Sequence, residues 1–82
     1  MSEDFKGEAD YTAALKMVAS GRANTNEGAE NAIQLLKAAL RDGISPSDQA
    51  MAYKTMGDKY VLLDDIQASY SSIKQALTIK KT

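Results

Sequence analysis

Apolar residues recur at helical spacing along almost the whole chain. Tyr11, Ala14, Leu15, Val18 and Ala19 fall at i, i+3, i+4, i+7 and i+8, which places them on one face of a first helix. Gly21 stops that helix, and the polar stretch from Arg22 to Gly28 forms a connection in which Asn24, Thr25 or Asn26 can cap the next one. The second helix carries Ala29, Ala32, Ile33, Leu36, Ala39 and Leu40, with Leu35 and Ala38 widening its apolar side. Gly43 lies just past its basic last turn. Ser45-Pro46-Ser47-Asp48 is the clearest start signal. Ser45 caps, Pro46 takes the first helical position, where no N–H is needed, and Asp48 can reach back as in a capping box. The third helix then runs through Met51, Tyr53, Met56 and Tyr60 to about Leu62. Asp64-Asp65 opens a fourth, with Ile66, Tyr70, Ile73 and Leu77 on one stripe and Gln67, Ser71, Lys74, Gln75 and Thr78 opposite. Lys80-Lys81 closes it, at the end of a helix that suits cations.

Propensity agrees with periodicity: thirteen residues are Ala, one is Pro, and the β-branched residues are scattered. The two middle connections are short, so consecutive helices should run antiparallel. The predicted fold is all-α, with four helices arranged as two stacked antiparallel hairpins over residues 10–43 and 45–80 of a single helical domain spanning 10–82. An up-and-down four-helix bundle is the alternative. Residues 1–9, with Glu3, Asp4 and Glu8 against Lys6 and only Phe5 as an apolar anchor, are expected to form a loose acidic segment.

The two halves align with each other. At an offset of 37, Ala32, Ile33, Leu36, Ala39 and Leu40 fall on Ser69, Tyr70, Ile73, Ala76 and Leu77, each matched in size class. At an offset of 38, Leu15, Val18 and Ala19 fall on Tyr53, Met56 and Gly57. The offset changes within the Gly21 to Gly28 connection, where an insertion is tolerated. Gly57 costs its helix roughly 1 kcal/mol relative to Ala, which points to a packing reason: with Ala76 it would sit where the two helices approach closely.

Tyr53, Met56, Gly57, Tyr60, Ser69, Ile73 and Ala76 resemble the signature of the tetratricopeptide repeat (TPR), over about Ser47 to Lys80 and more weakly over Tyr11 to Leu40. The resemblance implies hairpins that stack so that the first helix of each unit lines a shallow concave surface for a protein partner. The residues so exposed would be Lys16, Met17 and Ser20 on the first helix and Met51, Lys54, Thr55, Asp58 and Leu62 on the third. Lys16 falls on Lys54, so two ammonium groups can converge on an acidic or C-terminal carboxylate peptide, flanked by adaptable Met side chains. Two solvated lysines on polar faces are the plainer alternative. Repeat arrays usually need about three units. Two units can compensate through a broadly apolar middle helix with the fourth helix as an outer cap, or through self-association.

Composition narrows the chemistry. The 82 residues contain no Cys and no His, so there is no thiolate nucleophile, no imidazole base and no ordinary zinc site. No Asp-rich loop matches an EF-hand and no Gly-rich loop precedes a phosphate-binding Lys, so no catalytic residue, metal or cofactor is predicted. Ala39-x-x-x-Gly43-Ile44-Ser45-Pro46-Ser47 resembles the turn of a DNA-binding helix-turn-helix. A net charge of −1, and a reading face of Ser47, Asp48, Gln49 and Lys54, offer little to phosphates. No apolar run reaches the ~18 residues of a membrane span, and Met1-Ser2-Glu3-Asp4 lacks the basic start of a secretory signal, so a cytoplasmic location is expected. The predicted function is that of a non-catalytic protein-interaction module or small adaptor. The alternatives are a DNA-binding regulator using Ala39 to Lys54 and a structural, self-associating helical domain.

Overall fold

The computed structural model describes residues 5–81 and, among them, contains four α-helices and no strand. They are α1 (Glu8–Ala19), α2 (Asn26–Asp42), α3 (Pro46–Leu62) and α4 (Ile66–Lys81), with a 3-10 turn at Arg22–Asn24 between the first two. The capping choices left open by sequence are resolved by hydrogen bonds. The Thr25 hydroxyl accepts from the Gly28 N–H at 3.0 Å, so Thr25, and neither neighbouring Asn, caps α2. The Ser45 hydroxyl accepts from the Asp48 N–H at 3.3 Å with Pro46 in the first turn, as predicted. Asp65 caps α4 by accepting from the Ala68 N–H at 3.3 Å.

Each helix packs on its predecessor in sequence, and α4 makes its extended contact with α3 alone. The pairings run antiparallel. In the first hairpin, Gly7 lies against Ala39 at one end and Gly28 against Arg22 at the other. Between the hairpins, Glu30 to Lys37 of α2 border the same surface depression as Tyr60, Leu63 and Asp65, while the chain crosses over at Gly43 to Ser45. In the second hairpin, Gly57 opposes Ser69 and Ile73, and Ala76 lies further along beside Ala50 and Met51. The four helices therefore follow one another as an open row of 37 × 26 × 18 Å.

The core lies between α1, α2 and α3. Tyr11, Ala14, Ile33, Leu36, Ala39, Ile44, Ala52 and Met56 form it, with Leu15, Leu35, Leu40, Tyr60 and Leu63 packed at its edge. Helix α2 is flanked on both sides, and its broad apolar arc is buried accordingly.

The N-terminal boundary differs from the prediction. Of the segment expected to be loose, residues 1–4 lie outside the described residues, but α1 begins at Glu8 and Gly7 is buried. The Gly7 N–H donates to the Gly43 carbonyl at 2.9 Å, and a Cβ on Gly7 would overlap the Ala39 carbonyl oxygen. A glycine with no side chain thus lets the chain start against the end of α2, a contact that composition alone does not reveal.

Candidate functional site

The second hairpin presents the feature that most needs a partner. Along α4 the buried positions are Ser69, Ser72 and Ala76, a row of small residues at i, i+3 and i+7. The stripe of large apolar residues turns outward: Ile66, Tyr70 and Leu77 are 60%, 69% and 59% exposed, and Ile73 is 38% exposed. Gly57 explains the choice. A Cβ there would lie 2.6 Å from Ile73 Cγ1 and 3.4 Å from the Ser69 carbonyl oxygen, so the missing side chain makes room for Ile73 and lets α3 lie close to α4 at Ser69. Ile73 folds over the glycine, and the rest of the stripe is left in solvent. The expected partner of Gly57, Ala76, is instead displaced along the hairpin.

The internal repeat shows what is unusual about this. Ile33 and Leu36, the α2 counterparts of Tyr70 and Ile73, are 3% and 0% exposed because α3 covers them. No following helix among the described residues covers α4.

Beside the exposed stripe runs an apolar groove between α3 and α4 of about 390 Å³, lined by Ser47, Ala50, Met51, Lys54, Asp58, Ile73, Ala76 and Leu77. Three of the predicted site residues, Met51, Lys54 and Asp58, lie on its wall. Thr55 does not. It is buried, because α3 is flanked by α2 on one side and α4 on the other and its free arc is narrower than that of an outer helix. Leu62 is exposed at the far end of α3, outside the groove. Lys16 and Met17 sit on α1 and Ser20 at its C-terminal cap, away from the groove; the Ser20 hydroxyl donates to the Met17 carbonyl at 3.1 Å and accepts from Arg22 Nε at 3.2 Å. Lys54 is thus brought beside apolar surface, and Lys16 is not brought to the same wall. Sequence reasoning named Met51 and Lys54 but missed Ile73 and Leu77, taking their stripe as the packing face; the signal that could have found them is the small-residue row Ser69, Ser72 and Ala76 on the adjoining face.

A second polar feature lies where α1 meets the start of α3. The Glu8 carboxyl is held above its ordinary value by its hydrogen bond with Asp48, then by desolvation and the Asp48 charge, while a backbone hydrogen bond at Ser45 acts in the opposite sense. The Tyr11 phenol is likewise raised, first by burial and then by the Asp48 and Glu8 charges. Asp48 therefore faces α1, and the carboxylates gathered there oppose phosphate approach to this helix start. Gln49 is also engaged within the fold, its side-chain amide donating to the Ile44 carbonyl at 2.9 Å.

Among the described residues no three Asp or Glu side chains cluster as metal ligands would, and no helix is long and apolar enough to cross a membrane. Comparison with protein-family models, curated proteins and solved structures gave no match.

Proposed function

We propose that this chain is a non-catalytic protein-interaction module built of TPR-like helical hairpins, and that it works through the α3–α4 hairpin. The observation that carries the reading is the exposed stripe Ile66, Tyr70 and Leu77, adjoining a groove into which Met51 and Leu77 face. Large apolar side chains gathered on one surface are disfavoured in water unless something covers them, and patches of this kind mark interaction sites. The groove accommodates an apolar anchor residue, Met51 can adapt its shape to it, and Lys54 on the rim attracts an acidic neighbour.

Affinity capture with the wild-type chain and with a Met51→Asp/Leu77→Asp variant tests this. Met51 and Leu77 are both surface residues, so the melting temperature should stay the same while partner capture is lost. Capture that survives both substitutions would overturn the assignment to this hairpin.

A further inference from the structure

We propose that the α4 face docks a second copy of this chain, with α4 packed antiparallel against its own counterpart about a two-fold axis; this rests on the interaction reading above and names its partner. Four observations lead there. Ile66, Tyr70, Ile73 and Leu77 are spaced 4, 3 and 4 residues apart, which is the alternation of d and a positions across two heptads. That spacing makes a narrow seam suited to a single facing helix, unlike the wide buried arc of α2. In an antiparallel pair centred on the middle of the seam, Ile66 meets Leu77 of the second copy and Tyr70 meets Ile73, so each layer pairs an a with a d position.

The charges select the same orientation. Asp64 and Asp65 stand at the start of α4, and Lys80 and Lys81 are its last two residues. Antiparallel docking sets the acidic start of one copy against the basic end of the other and opposes the two helix dipoles, whereas parallel docking sets like against like. The distribution of apolar surface disfavours stacking of α4 on the first hairpin of the next copy. Apart from Phe5, every exposed large apolar side chain among the described residues lies on α3 or α4, so the first hairpin offers no second apolar face for a chain of copies to use. A self-complementary contact closes with two copies. Finally, at roughly 200 Å² per large side chain, the seam with Met51 and Leu62 covers on the order of 1,000 Å² over both copies, the lower bound for a specific interface. The dimer is therefore weak and depends on concentration.

Sedimentation equilibrium of the full chain, from about 5 µM to about 500 µM, reads the outcome. The apparent mass should climb from 8.8 kDa toward twice that value and stop there. Tyr70→Glu should raise the dissociation constant at least tenfold without changing the melting temperature measured in dilute solution, and Leu77→Lys should do the same at the outer layer. Lys80→Glu/Lys81→Glu should weaken the antiparallel pair by confronting the aspartates; a strengthened pair would show parallel docking and overturn the geometry. A mass of 8.8 kDa at every concentration overturns self-association, as does a mass that grows without limit or a dimer indifferent to Tyr70→Glu. A monomer that still loses partner capture on Met51→Asp/Leu77→Asp would leave the interaction reading standing and remove only the second copy as its occupant. A monomer whose capture also survives those substitutions would remove both.

Discussion

Asp64 holds a left-handed backbone, φ 64°, where a helix terminator is ordinarily glycine. It closes α3 as a Schellman turn: the Asp65 N–H donates to the Tyr60 carbonyl at 2.9 Å and the Asp64 N–H to the Val61 carbonyl at 3.0 Å. One residue later the Asp65 carboxylate caps α4, so the two adjacent aspartates divide the work of stopping one helix and starting the next. Asp tolerates the left-handed region better than most residues but still bears a steric penalty from its Cβ. Asp64→Gly should therefore raise unfolding stability by about 0.5 to 1 kcal/mol, while β-branched Asp64→Val lowers it; urea unfolding of both variants checks the sign. The glycines divide in a similar way by what surrounds them. Gly43, at φ 108°, needs its backbone freedom, whereas Gly7 and Gly28 are placed where a Cβ would strike the backbone of another element.

Helix starts were legible in the sequence because a cap is a local device: Ser45 with Pro46, and Asp65 before Ile66, act within three or four residues of themselves. Contacts between elements were less so. The meeting of α1 with α3 through Glu8 and Asp48 joins residues 40 positions apart, and it opposes two carboxylates. Because the folded state raises the Glu8 carboxyl above its ordinary value of 4.5, the folded chain holds that proton more tightly than the unfolded one. Its contribution is full below pH 4.5 and is lost as pH rises through the higher folded value. Glu8→Gln should accordingly raise the melting temperature at pH 7, with the difference from wild type closing below about pH 4, in thermal scans followed by circular dichroism. In the candidate site, Met51 and Lys54 were named from an arc of α3, but Thr55 on that arc is buried, since the arc's width depends on how closely α2 and α4 flank it.

Across the whole molecule, the core is small and concentrated in the first three helices. Leu36 and Ile44 are its only large side chains that are fully buried among the described residues, and much of the remainder is Ala. A chain of this size keeps only a few kcal/mol of net stability, so one cavity in the core is of the same order as the total. Leu36→Ala should cost about 2 to 5 kcal/mol and abolish the cooperative thermal transition, whereas Leu77→Ala, on the exposed stripe, should leave the dilute monomer's transition nearly unchanged. The contrast separates the leucine that holds the fold from the leucine that faces a partner.

The sequence by itself determined the helices, their number and nearly all of their ends, because periodicity and capping are written in residues no more than a turn or two apart. It also marked Gly57 as a place of close approach. Only the tertiary structure decided which side of α4 that approach would bury. This helix carries two candidate packing faces, one large and apolar, the other small, and periodicity ranks the large one first. Gly57 lets α3 come near enough to favour the small one, Ser69, Ser72 and Ala76, and among the described residues no other helix covers the stripe that remains. An apolar stripe states that it will be covered; whether the cover lies within the same chain depends on contacts between distant residues, which a local pattern does not contain.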